Sequence, residues 1–258
     1  MDPRRPPGDP GPATPEPVAR HQLWRSPAVV VGAVALVAVT AAAAVSAAAV
    51  HGGSHGTGGT STVSVSAGPV RTVELQAVPG QLTIVGAATG RVVLTGQLDW
   101  RGRAPASSDR LVSAHLLRLR YRCATASPCT ANWRLVVPRH TAIVLSQPSG
   151  HVIVSGLAGP LRIRAASVDV SATGLSSPSL QAAITSGHLS ATFAAAPQQV
   201  SINLVSSQAT LSLPGSVAYA VSDQVTSGYV HVGIPVIDGA AHTVTARVLS
   251  GELDLLAS

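Results

Sequence analysis

The chain has 258 residues, of which 46% are hydrophobic, 11% charged and 3% aromatic, with a net charge of +6. That length holds one sizeable domain plus appendages. The scarcity of rings argues against a large ligand pocket walled by aromatic side chains, and the small β-branched residues suit thin stacked sheets. All 17 basic residues are Arg. No basic run is interleaved with aromatics, which argues against nucleic acid and leaves an anionic membrane surface or cell-wall polymer as the partner a positive balance favours.

Residues 1–26 carry Pro at 3, 6, 7, 10, 12, 15 and 17. Such a segment neither sustains a helix nor buries a core, so a disordered Pro-rich tail is expected there. Residues 27–50 contain no charged residue, with Val29-Val30-Val31 and Leu36-Val37-Ala38 at their centre. A stretch of that length exceeds the roughly 20 residues that cross a bilayer as a helix. Arg4, Arg5, Arg20 and Arg25 precede it and the next Arg is Arg71, so the positive-inside rule places the N-terminus in the cytoplasm and the rest of the chain outside the cell membrane. A cleaved signal peptide is the alternative, with small residues at Ala44-Val45-Ser46-Ala47. The long leader and long apolar run favour an uncleaved single-pass anchor. Residues 51–69 are rich in Gly, Ser and Thr and read as a flexible linker.

The extracytoplasmic domain is expected over 70–258. Val73, Leu75 and Ala77 alternate with Thr72, Glu74 and Gln76, which is strand periodicity. Gly80-Gln81-Leu82-Thr83-Ile84 and Gly90-Arg91-Val92-Val93-Leu94 repeat one phrase: glycine, polar, apolar, variable, apolar. Asp99 to Arg110 reads as a surface loop with Trp100 packing down on the sheet. Next, Leu117, Leu119, Tyr121 and Cys123 alternate with Arg118, Arg120 and Arg122. A second strand follows from Cys129 through Trp133, Leu135 and Val137, and the two read as a hairpin. Its ends carry the only cysteines, Cys123 and Cys129. Opposed positions of an antiparallel pair lie within disulfide reach, and an oxidising compartment favours the bond.

From Thr141 onward one phrase returns: Ser149-Gly150, Ser186-Gly187, Ser227-Gly228 and Ser250-Gly251, with degenerate copies at Ser167-Val168 and Ser206-Ser207. Successive serines stand 18, 19, 20, 21 and 23 residues apart. A period near 20 is the mark of a solenoid or stacked β-architecture. Counting from the turn glycine, the second position holds Val152, Val170, Leu189, Ala209, Val230 and Leu253, and the fourth holds Val154, Ala172, Ala191, Leu211, Val232 and Leu255. Both columns are apolar throughout, so both are expected to face one core. Second strands such as Leu161–Arg164 and Val200–Leu204 lie between the phrases. The turn glycine itself answers a backbone that needs φ > 0.

The ladder, together with the Cys-bearing stretch running into Val136-Val137-Pro138, resembles the bacterial adhesin β-strand-repeat family, related to the toastrack-like domains of envelope-stress proteins. Two copies depart from it, with Val168 and Ser207 where glycine is expected. The resemblance covers residues 70–258. It implies a membrane-anchored, extracytoplasmic binding or scaffolding module rather than an enzyme.

The chemistry agrees with that expectation. The chain has no H-E-x-x-H, EF-hand loop or P-loop. The serines beside histidines recur in every copy, as turn residues do. Stacking would align His151, Asp169 and His188, too few ligands for a metal without a further donor. His231 and Asp254 would form a second adjacent pair.

The expected fold is all-β: a β-solenoid-like stack of roughly 20-residue Ser-Gly repeats preceded by one transmembrane α-helix. The expected function is non-catalytic binding or adhesion at the cell surface, with no catalytic residue, no cofactor and no metal. The site residues are Cys123 and Cys129 as a disulfide, and Arg118, Arg120 and Arg122 as the face for an anionic partner. The partners are the membrane, spanned once, and a wall or surface polymer or another envelope protein. An envelope-stress sensor is the alternative. Oligomeric state is left open.

Overall fold

The computed structural model describes residues 58–124 and 128–258, with the Ser46–Ala47 backbone ahead of them. The expected tail over 1–26 and the rest of the expected span over 27–50 lie outside the described residues. Among the described residues every regular element is a strand, and no helix is long and apolar enough to cross a membrane.

In chain order the strands are β1 (Ser46–Ala47), β2 (Gly58–Ala67), β3 (Thr72–Gln76), β4 (Gly80–Ala87), β5 (Val92–Arg101), β6 (Ala106–Ser113) and β7 (Leu116–Arg122). Then come β8 (Cys129–Pro138), β9 (Ala142–Ser155), β10 (Leu161–Leu175), β11 (Ser179–Phe193), β12 (Gln199–Leu213), β13 (Tyr219–Gly233) and β14 (His242–Ala257).

Each repeat is one long strand bent at its Ser-Gly phrase. In β10, Leu161, Ile163 and Ala165 are buried, then Ala166 and Ser167 are both exposed, then Val168, Val170 and Ala172 are buried. Side chains alternate along a strand, so two outward residues in a row mark the bend, and both limbs line the same core. The second strands expected between phrases are therefore the first limbs of the same strands. Gly150 sits at one bend with φ +115°, and a Cβ there would lie 1.9 Å from the Gly80 carbonyl oxygen of the neighbouring bend. Glycine is required both for the backbone angle and for the close approach of stacked corners. Val168 and Ser207 occupy the same register position and turn their side chains into the interior; the Ser207 hydroxyl donates to the Ile184 carbonyl at 3.2 Å.

Two further rungs are assembled from separate strands. Thr72–Gln76 pairs in parallel with Ala142–Ser146, and Gly80–Val85 with Gly150–Ser155, so β3 and β4 are the two limbs of one rung stacked on β9. Strand β7 pairs with β3 and β8 with β4, which makes β7 and β8 the limbs of the next. The expected hairpin is thus corrected: β7 and β8 do not pair with each other. Their apolar positions, Leu117, Leu119 and Tyr121 on one and Ala131, Trp133 and Leu135 on the other, are all buried, and each strand finds a parallel partner on a different limb.

Three other expectations are corrected here. The Gly90 phrase is not a rung, because β5 runs antiparallel to β8 and a Cβ on Gly90 meets nothing within 4 Å. Much of the stretch from Asp99 to Arg110 is strand, in the end of β5 and the start of β6, although Trp100 does pack against the core. Within the expected linker over 51–69, Gly58–Ala67 is strand β2, antiparallel to β5, because Val63, Val65 and Ala67 alternate with serines and reach the core.

The stacking order brings a fifth correction. The path through the sheet is β1-β2-β5-β8-β4-β9-β10-β11-β12-β14-β13, with β3, β7 and β6 continuing the first-limb side. Strand β14 lies between β12 and β13, so β13 is the outermost rung. Val232 is therefore 38% exposed and Val230 only partly buried, whereas their register partners Leu255 and Leu253 are fully buried. The physical reason lies in one position. The core column holding Leu145, Ile163, Ala182, Ile202 and Ala246 continues on β13 as Asp223. A carboxylate between two packed rungs would be desolvated without a partner; on the outermost rung it stays in water.

Candidate functional site

The outer face of the first-limb sheet gathers the positive charge. Arg118, Arg120 and Arg122 lie on it as expected, alternating with the buried Leu117, Leu119 and Tyr121. Stacking adds Arg162 and Arg164 from β10 and Arg247 from β14, all exposed. In register, Arg120 faces Gln76, and the same column continues through Ser146, Arg164, Ala183, Asn203 and Arg247. Neighbouring rungs are about 4.8 Å apart and alternate residues along a limb about 7 Å apart, so the arginines form a loose lattice. Sequence proximity alone did not reveal Arg162, Arg164 and Arg247, but their column positions in the ladder could have.

The only outward carboxylate on the described part of this face is Glu74. Its Oε2 accepts from Arg118 Nε at 2.5 Å, and that bond raises the Arg118 pKa. Arg122 donates through Nη2 to Gln76 Oε1 at 3.2 Å, and Arg162 through Nε to Gln181 Oε1 at 2.8 Å. The outer face of the second-limb sheet is the opposite in character. It carries Asp169, Glu252 and Asp254, with Arg134 from β8. Arg134 and Arg101, neighbours of the Arg row in sequence, thus do not join it in space.

The second-limb face also holds the His-Asp column. Asp169 is in register with both His151 and His188, as expected from stacking, and the His151 Nδ1 to Asp169 Oδ2 distance is 3.5 Å. These side chains are 69% and 57% exposed, and an ion pair so open to water contributes about 0–1 kcal/mol. Among the described residues no group of three His, Cys, Asp or Glu is gathered closely enough to hold a metal ion. His231 and Asp254 are also in register.

Cys123 and Cys129 are joined in a disulfide, with Cα atoms 5.7 Å apart. The bond closes the corner between β7 and β8, a rung that, like that of β3 and β4, is built from two separate strands. Next to it, Tyr121 packs its ring on Trp133 at 4.4 Å between centroids and donates its hydroxyl to Asp109 Oδ1 at 2.7 Å. Burial and then this bond hold the tyrosine protonated far above its ordinary range; burial also raises the Asp109 pKa, partly offset by the same bond.

Along the corners of the arginine face runs a groove of about 710 Å³. It crosses the rungs of β7, β3, β9, β10, β11 and β12, with small apolar residues such as Ala77, Ala165, Ala166 and Ala183 in its lining and Arg122 and Arg164 beside them. Gln147, which also lines it, is 2% exposed. Its Nε2 donates to the Val78 and Ser149 carbonyls at 3.1 and 2.9 Å, and its Oε1 has no donor.

Comparison with known proteins bears on the fold. Residues 145–254 match the family model described as Toastrack DUF4097. Among solved structures, the chain is similar to a candidate cell adhesion protein from Clostridium sporogenes, at 14% identity and a TM-score of 0.48, over 74% of this chain and 94% of that one. It is also similar to a candidate adhesin from Bacteroides fragilis, at 10% identity and a TM-score of 0.38, over 76% of this chain and 97% of that one. No curated protein matches the chain. The matched stretch takes in nearly all of β9 to β14, the region where every rung is one continuous bent strand. Over that stretch the chain is similar to the toastrack family, the resemblance expected from its Ser-Gly ladder.

Proposed function

We propose that this is a non-catalytic, single-pass membrane protein that displays a binding β-repeat domain outside the cell, and that the arginine face engages an anionic surface polymer. The observation that supports this most is the one-sided charge: among the described residues Arg118, Arg120, Arg122, Arg162, Arg164 and Arg247 share one sheet face with a single outward carboxylate, Glu74. One exposed ion pair contributes about 1 kcal/mol at most. A lattice of them gains by multivalency against a polymer whose charges repeat, because each contact raises the effective concentration for the next. The anchor expected over 27–50 would keep the domain at the cell surface.

The test is cosedimentation of the full-length chain, in detergent, with purified cell-wall sacculi. Replacing Arg118, Arg120 and Arg122 together by Ala should release most of the bound protein. Binding should also weaken as salt rises past the ionic strength at which the Debye length is about 8 Å. Equal pelleting of wild type and triple variant would remove the arginine face from the function.

A further inference from the structure

We infer that the corner groove takes an acidic peptide, extended along the stack, with small aliphatic side chains and carboxylates about four residues apart. This rests on the reading that the arginine face binds, and it names the chemistry recognised at one place on it.

The groove offers distinct features to a ligand. Its lining is mostly apolar and small, so it accepts short aliphatic side chains and leaves little depth for large ones. Its two charged lining residues, Arg122 and Arg164, are both exposed cations, and no carboxylate lines it. Three rung steps separate β7 from β10 through β3 and β9, which puts the two arginines about 15 Å apart at the backbone. An extended peptide covers that distance in about four residues.

The third feature is Gln147. The same inward column holds Ala165, Ile184 and Leu204 on the following rungs, and Ala77 and Tyr121, one residue past the last paired positions of β3 and β7, are also buried, so an amide stands among nonpolar and ring side chains. Its two N–H bonds fix its orientation and leave the buried Oε1 as an acceptor without a donor. Burying an unpaired acceptor is costly, and a small shift of the groove lining that opens Oε1 to a ligand N–H relieves it. A peptide backbone carries such a donor at every residue. A hydrocarbon chain has none. A sugar would look for an exposed ring to stack on, and Tyr121, the only aromatic in the lining, is 1% exposed.

The probe is a fluorescein-labelled, acetylated Glu-Ala-Ala-Ala-Glu peptide titrated with the full-length chain in detergent and read by anisotropy. Saturable binding is expected, with at least about tenfold weakening for the Gln-Ala-Ala-Ala-Gln peptide and for Arg164→Gln, as befits loss of a charge-assisted bond. Ala166→Trp, which fills the groove from an exposed position, should abolish it; Thr185→Trp does the same from the next rung if the first variant melts early. N-methylation of the peptide's amides, one at a time, should at one position weaken binding to wild type and leave binding to Gln147→Leu unchanged. Absence of saturable binding, or equal binding by both Trp variants, overturns the inference. If the peptide fails while arginine-dependent pelleting with sacculi persists, the groove assignment alone is wrong; if pelleting fails as well, the arginine face is not a binding surface.

Discussion

Strands β13 and β14 carry the same Ser-Gly phrase, pair with each other residue for residue, and meet opposite circumstances. In β14, Val244, Ala246, Val248, Leu253 and Leu255 are all buried; in β13, Val225, Tyr229 and Val232 are exposed. The difference teaches that the repeat phrase specifies a bend and a register, whereas the residue standing in the core column decides whether a rung can be interior. Ala246 permits a neighbour on both sides and Asp223 does not.

The sharpest way to break the contrast is to exchange the chemistry. Ala246→Asp should unfold the domain, at upwards of about 4 kcal/mol, because it buries an unpaired carboxylate between packed rungs. Asp223→Ala should change stability by no more than about 0.5 kcal/mol. Leu255→Asp and Val232→Asp, at paired positions one rung apart, should divide the same way, with the second costing under about 1 kcal/mol. Chemical denaturation of the four variants tests this, and comparable losses in either pair would mean that the order of the last two rungs is wrong.

The corner glycines give a smaller contrast. Added Cβ atoms at Gly251 and Gly228 would each lie 1.9 Å from a carbonyl oxygen of the adjacent corner, at φ +140° and +119°. Gly251→Ala is trapped between two rungs and should cost about 3 kcal/mol, whereas Gly228→Ala lies on a rung free to move outward and should cost less than half of that. Equal losses in thermal melts would show that the edge rung is held as firmly as its neighbour.

At the other end of the stack, the Cys123–Cys129 bond holds a corner that no continuous strand provides. Reduction should cost about 2 kcal/mol on the chain-entropy view of so short a loop, seen as a melting temperature lower by roughly 4–8 °C. No shift on reduction would mean that the Tyr121–Trp133 packing holds the corner by itself.

The smallest effect concerns alkaline pH. The Tyr121 hydroxyl stays protonated in the fold well beyond its ordinary range. A group whose folded pKa is raised contributes stability that is fully present below its unfolded value, about 10 for tyrosine, and is lost as pH rises from there through the folded value. The melting temperature should fall above about pH 10, and Tyr121→Phe should flatten that fall. Tyr229→Phe, on the exposed edge rung, should leave most of the slope in place; flattening by both alike would contradict the assignment of the slope to the buried tyrosine.

Much of this architecture was legible in the chain. The apolar columns and the turn glycines at Gly150, Gly187, Gly228 and Gly251 follow from spacing and alternation, since both are local and periodic; the Cys123–Cys129 bond forms although the hairpin from which it is expected does not. The order of β13 and β14 was not read, because every rung carries the same phrase and any two can be matched in register; the signal was Asp223 in an otherwise apolar column. The β7–β8 hairpin was misread because two alternating strands beside a short turn look the same whether they pair with each other or with separate neighbours. Strand β2 was hidden by its glycines and serines, although Val63-Ser64-Val65-Ser66-Ala67 alternates cleanly. Half of the arginine face is local to β7; the other half, and the groove, exist only once rungs far apart in sequence are stacked.

The placement of β14 has a consequence in time. A stack that followed chain order could grow rung by rung, each strand docking as it emerges on the one before. Here β13 emerges first, yet its final neighbour is the strand that comes after it. The growing stack must either hold its edge at β12 open until residues 242–257 appear, or release β13 from a provisional seat to let β14 in. Completion of this end of the stack therefore waits on contacts between β12 and β14, such as Val200 with Val244, which form only after the last strand has emerged.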